Sequence, residues 1–246
     1  MNISNIIVLI VGAALAFIPV KIAGDKGYSK GGFFAYGLFF FIPALIQALM
    51  LPSRQDPTKK QFSPRALKYL ITATVLLQLN IIFDMGNHIN ISNLRLASIV
   101  PALMKIVLFI SVILGRKYIF SMVIYALYAV YEFCETIFCV VEGIKYAEKG
   151  FTRLFAFLGV EVFFSALAYA LLVFVVFKYA YKADEHIESK PKILFYAPSI
   201  LFLVSGIVNF IGSPYLTVYT AVMLIIVMVL YFLSFLFLGR FYYEDV

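Results

Sequence analysis

The sequence predicts an all-α protein, a polytopic membrane bundle of about eight transmembrane helices (seven is the alternative count) with no soluble domain. Three observations carry this reading. Hydrophobic residues fill 63% of the 246 positions, where a soluble domain runs at about 45–50%. Charged residues fill only 13%, about half the usual share, and the mean hydropathy is +0.98. The apolar residues are also gathered into runs of about 20, the length that crosses about 30 Å of hydrocarbon at about 1.5 Å per residue. Such a composition excludes a disordered chain, a nucleic-acid-binding domain and a disulfide scaffold.

The spans follow in order. The first, over 5–20, has no basic residue ahead of its apolar stretch, so it reads as a span and not as a cleaved signal peptide. The second, over 33–51, contains Pro43, which is expected to bend it. The third, over 69–85, leads into a polar row of Asn80, Asp84 and His88. The fourth, over 97–114, holds Lys105 one turn after Pro101. The fifth covers 118–142 and the sixth 154–177, where Glu161, Ser165 and Tyr169 recur every four residues. The seventh, over 193–211, carries Ser205 and Asn209, and Gly212-Ser-Pro-Tyr215 makes a tight turn into the eighth, over 216–239. Cys134 and Cys139 lie five apart in one span, about 140° apart on a helix, and so do not pair.

Basic residues orient the bundle, because cytoplasmic loops carry an excess of them. With eight spans, Arg54, Lys59, Lys60, Arg65, Lys68, Arg116, Lys117, Lys178, Lys182, Lys190, Lys192 and Arg240 share a side, twelve in all. Lys21, Lys26, Lys30, Arg95, Lys145, Lys149 and Arg153, seven in all, fall on the other. The twelve-base side is expected to be cytoplasmic, with both termini inside.

One hairpin has a known look. Ile22-Ala-Gly-Asp-Lys-Gly-Tyr-Ser29, Phe33-Phe-Ala-Tyr-Gly-Leu-Phe39 and Pro43-Ala-Leu-Ile-Gln-Ala-Leu-Met-Leu-Pro52 follow one another. Together they resemble a helical hairpin common in small uncharacterised bacterial membrane proteins, with an Ala-x-x-Lys-Gly-x-Ser turn, a Gly-Leu-Phe run and a closing Leu-Pro. The resemblance implies a bacterial origin and a hairpin, and the expected location is the bacterial cytoplasmic membrane. The resemblance carries no activity.

Function is expected where polar groups enter the membrane, because ionisable residues there are costly. Ser121, Tyr125, Tyr128, Glu132, Glu135, Cys139 and Glu142 recur at alternating spacings of four and three. That rhythm places all seven on one face of the fifth span, a stripe about 31 Å long that must avoid lipid. Helical rise puts Glu132, Glu135, Glu161 and Lys105 in one layer of the outer half of the bundle, with Asp84 and Asn209 near its rim. Three carboxylates and one ammonium cannot all be ionised in a dry site. Either some carboxyls hold protons, or a cation or water fills the space. Tyr125 and Tyr128 offer ring faces to a cation.

These residues predict a small transporter or permease-type subunit with an outward-facing polar cavity and proton- or cation-handling glutamates. Its binding residues are Glu132, Glu135, Glu161, Lys105, Tyr125 and Tyr128, with Asp84, Asn209 and Ser165 in support. The alternative is a non-transporting sensor, immunity or assembly protein that binds a peptide, lipid or partner protein. In that case the stripe is a helix-packing seam. Expected partners are membrane lipids, a small-molecule or cation substrate, and a membrane or cytoplasmic protein, with no nucleic acid, cofactor or metal. No P-loop, His-Glu-x-x-His or Gly-x-Ser-x-Gly motif occurs, so the chain has no recognisable catalytic machinery.

Overall fold

The computed structural model describes residues 3–51, 53, 63–88, 105, 107–112, 118–145, 152–181, 191–213 and 217–245, leaving out the side chains of 3–13, 64, 84–88, 152–153 and 245. Every regular element among them is helical: α1 (Ile3–Asp25), α2 (Lys30–Phe39), α3 (Phe41–Met50), α4 (Pro64–His88), α5 (Tyr118–Lys145), α6 (Thr152–Val175), α7 (Lys192–Gly212) and α8 (Val218–Asp245). A short helical stretch covers 107–112, and α6 runs on as a π-helix over Val176–Tyr181. The described residues form two compact units, Met1–Pro64 and Arg65–Val246.

In the first unit, the Lys-Gly-x-Ser turn is a set of three caps. Gly27 takes the left-handed conformation (φ 83°), which a side chain would strain. It lets Tyr28 N–H reach the Ala23 carbonyl (2.9 Å) and Gly27 N–H reach Gly24 (2.9 Å), the paired bonds that close a helix C-terminus. Ser29 then caps α2 by accepting from Gly32 N–H at 3.3 Å. Lys26 turns its ammonium on the far end of α3, donating to the carbonyls of Ala48, Leu49 and Leu51 at 2.8, 2.7 and 2.8 Å.

That last contact revises the second span. A single helix over 33–51 would carry Leu51 about 30 Å from the turn at Lys26, a distance no lysine side chain covers. The chain instead breaks at Phe40 (φ −138°, ψ 58°) and comes back as α3. Pro43 explains the break. Its ring would strike the Phe39 carbonyl of a continuous helix, whereas in the first turn of a new helix its missing N–H costs nothing. The sequence reading expected a bend there, and the outcome is a reversal. Each half-helix is ten residues, about 15 Å, or half the hydrocarbon thickness. Apolar Phe39 and Ile42 are exposed at the tip. On α2, Gly37 has Pro19 Cγ 3.1 Å and Ala16 Cα 3.4 Å from where its Cβ would stand, so its lack of a side chain permits close packing on α1.

In the second unit five helices are long and apolar enough to cross a membrane: Arg65–Phe83, Tyr118–Lys145, Leu154–Tyr181, Lys192–Gly212 and Val218–Glu244. They correspond to the third, fifth, sixth, seventh and eighth spans of the sequence reading. The first span falls within α1. The fourth, over 97–114, lies largely outside the described residues. Consecutive helices α5, α6, α7 and α8 pack on one another in turn. The third-span helix α4 reaches α8 through the stacked rings of Tyr69 and Phe237, 6.1 Å apart, and through Asn80. Large apolar side chains such as Phe133, Ile144 and Val218 stand exposed along the outer faces of these helices. A soluble monomer does not tolerate so wide an apolar exterior. Five such helices with such a surface suggest a membrane protein.

Candidate functional site

The stripe on α5 lies on the side turned into the bundle. Ser121, Tyr125, Tyr128 and Cys139 are buried, while Val123, Leu127, Val130, Phe133 and Ile137 on the opposite side are each more than half exposed. At its C-terminal end Glu142 pairs with Lys145 at 3.2 Å in the last turn, where a cation also offsets the helix dipole.

A polar cavity of about 190 Å³ opens within the second unit. Its polar lining comes from Asn80 of α4, Lys105, Glu161 and Ser165 of α6, and Ser205 and Asn209 of α7. Apart from Lys105, these are members of the i, i+4 rows of the sequence, brought to one place because each lies on the inward face of its helix. Asn209 donates from Nδ2 to Glu161 Oε1 at 2.7 Å, and Asn80 donates from Nδ2 to the Val227 carbonyl at 2.7 Å. The first bond orients a carboxylate toward the cavity. The second ties α4 to the backbone of α8 at Val227. Gly206 of α7, also in the lining, leaves room for Met228 of α8.

The remaining residues of the predicted site are placed differently. Glu132 lies within electrostatic reach of Lys105, Glu135 and Glu161 but does not line the cavity. Glu135 instead meets the hydroxyl of Tyr131 one turn back on α5. Tyr125 and Tyr128 offer no ring face to the cavity. Both are packed beneath it, Tyr125 with its hydroxyl 3.1 Å from that of Tyr242 and Tyr128 with its ring 4.7 Å from Tyr169. The side chain of Asp84 lies outside the described residues. Among the described residues no three acidic, thiol or imidazole groups converge to hold a metal ion.

An aromatic plate closes the inner end of the cavity. Tyr169, Phe202, Tyr231 and Phe235 pack mostly edge to face with centroids 4.3–6.1 Å apart, and Phe202 and Tyr231 form the boundary with the cavity. Tyr169 and Tyr231 join hydroxyl to hydroxyl. Sequence reasoning did not single out Tyr231 or Tyr242. The available signal was modest: Tyr231 and Ser234 are a polar i, i+3 pair inside an otherwise apolar run of α8. A second hollow, about 560 Å³ between α5 and α6, is lined by apolar side chains except for Thr136 and the Cys139 thiol, and it holds no charge.

No known family model matches this sequence, and no curated protein or solved structure shows significant similarity to it.

Proposed function

We propose that the protein is a small transporter or permease-type subunit that takes a small cation or protonated amine into the polar cavity. The observation that carries this reading is the cavity's lining, which sets an oriented carboxylate and an ammonium among amides and hydroxyls inside a membrane bundle. Such groups are expensive in a bilayer and are found where ions or substrates pass. Glu161, held by Asn209, supplies the negative charge that a cation requires after losing its water. Lys105 is the internal counter-ion, re-paired as the cation enters and leaves. Glu132 and Glu135 add negative potential nearby without touching the ligand.

The test uses reconstituted vesicles and a panel of small organic cations from methylammonium to choline. At least one is expected to displace charge in the wild type. Glu161→Gln keeps the shape and the partner of the side chain, so it should abolish that signal while its melting temperature stays within about 3 °C. No displacement by any cation, or a signal unchanged in Glu161→Gln, overturns the reading. Unfolding of Glu161→Gln would favour the second reading, a binding or assembly protein with the α5 stripe as a seam. One observation already leans that way, since Ser121, Tyr125 and Tyr128 of the stripe are buried and line neither hollow.

The re-entrant form of α2 and α3 supports a specific topology. If these half-helices enter and leave on one face, the chain has seven spans, with the fourth retained from the sequence. Lys21, Lys26 and Lys30 then join the twelve bases of the cytoplasmic side, making fifteen against Arg95, Lys145, Lys149 and Arg153. The charge bias becomes much steeper than the twelve against seven of the eight-span count. This favours Met1 outside and Val246 inside, in a bacterial cytoplasmic membrane.

A further inference from the structure

Beneath the cavity the bundle holds a second set of polar groups that cation binding does not use. Tyr231 borders the cavity and joins its hydroxyl to that of Tyr169. The Tyr169 ring lies 4.7 Å from the ring of Tyr128. Tyr128 is buried, and its hydroxyl has no hydrogen-bond partner among the described residues. Tyr231 is within electrostatic reach of both Tyr128 and Tyr125. Tyr125 joins Tyr242 at 3.1 Å, and one turn nearer the start of α5, Ser121 donates to the Ser111 carbonyl at 3.2 Å. Tyr231 and Tyr242 are eleven residues apart on α8, so the set descends about 16 Å from the cavity.

Phenols in a membrane interior require an explanation. A buried hydroxyl with no partner costs about 1–3 kcal/mol, and phenylalanine would fill the same volume without that cost. Packing alone therefore does not account for the tyrosine at 128, which stands between the Tyr169–Tyr231 and Tyr125–Tyr242 hydroxyl pairs. The plate around Tyr169, Phe202, Tyr231 and Phe235 is too tightly packed to admit a hydrated ion, which would lose its water shell among apolar rings. A proton needs no such space. It can pass from oxygen to oxygen along hydroxyls that accept on one side and donate on the other.

We infer that Tyr231, Tyr169, Tyr128, Tyr125 and Tyr242 form a proton route from the cavity through the aromatic plate to the inner end of the bundle. The inference rests on the transport reading in placing Glu161 in the cavity: with no cation bound, its carboxyl holds a proton instead, and it is then the cavity-side donor. That carboxyl gives a proton to the Tyr231 oxygen. Each phenol then accepts a proton on its oxygen and releases its own hydroxyl proton to the next. Every phenol ends neutral, Glu161 is left as the carboxylate, and Tyr242 has passed one proton to water at the inner end of the bundle. The unpartnered Tyr128 hydroxyl is the point at which the route is broken at rest, and it must swing to bridge the two hydroxyl pairs.

The experiment uses full-length protein in sealed vesicles containing a pH-sensitive dye, with a potassium diffusion potential as the driving force. Wild type, Tyr169→Phe, Tyr125→Phe and the Tyr125→Phe/Tyr169→Phe pair are compared, since phenylalanine keeps the ring and removes only the oxygen. The wild type is expected to pass protons. Each single variant should slow the initial rate at least about tenfold, the scale on which a lost proton-transfer group is felt. The same vesicles report charge displacement by organic cations, which should persist in these variants. Proton flux equal to wild type in the double variant overturns the route and leaves the transport reading standing. So does a wild type that displaces cation charge but passes no protons. Proton flux that depends on the tyrosines, with no cation signal at all, overturns the cation reading and leaves the route.

Discussion

Asn209 shows how one side chain fixes the chemistry of the cavity. A carboxylate inside a bundle is tolerable only with donors around it, and Asn209 supplies one to Glu161 at 2.7 Å. Asn209→Leu keeps the bulk and removes the donor. It should cost about 1.5–3 kcal/mol and lower the melting temperature in detergent by roughly 3–10 °C. A melting curve that does not move would mean that Glu161 is served by other groups. Much of this was legible in the sequence, because charges and amides stand out in apolar runs and their i, i+4 spacing names the inward face. Lys105, Glu161, Ser165 and Asn209 were readable in that way. Tyr231 and Tyr242 were not. Tyrosine occurs 17 times in the chain and is equally at home at a membrane interface, so its type alone does not distinguish a buried hydroxyl from an interfacial one.

The helices owe their arrangement to a few positions where backbone meets backbone. Gly239 of α8 is the tightest: a Cβ there would overlap the carbonyl oxygen of Phe195 on α7. Gly239→Ala should therefore destabilise the α7–α8 pair by about 1–3 kcal/mol, whereas Gly31→Ala on α2, where a Cβ meets nothing within 4 Å, should not. Thermal unfolding of the two variants side by side checks this. Equal melting temperatures would show that the α7–α8 contact relaxes at little cost. The α2–α3 reversal belongs to the same class of effect. The sequence shows Pro43 and an apolar run of the length of a span, and a proline in a span is compatible with a kink as well as a break. The choice is made by Lys26, 22 residues upstream of the nearest carbonyl it binds. A proline offers no sign of so distant a partner.

The same reversal underlies the proposed threading of the chain. Seven spans with a re-entrant hairpin predict that residues 25 and 61 face the cytoplasm together and that residue 2 faces outward. The test places single cysteines by Asn2→Cys, Asp25→Cys and Gln61→Cys in a Cys134→Ser/Cys139→Ser background and labels intact cells with a membrane-impermeant maleimide. Only the cysteine at position 2 should react. Labelling that separates position 25 from position 61 would restore a full second span and the eight-span count.

Composition and the spacing of apolar runs by themselves determined that the chain is helical, that several of its helices are long and apolar enough to cross a membrane, and which helix faces turn inward. Those properties follow from bilayer thickness and helical periodicity, both local in sequence. The tertiary structure alone decided that the polar rows of separate helices enclose one cavity, that Glu132, Glu135, Tyr125 and Tyr128 do not line it, and that α3 returns beside α2. Each of these depends on which residues of distant segments meet, and that is set by the packing of helices against one another, which the period of a single helix does not encode.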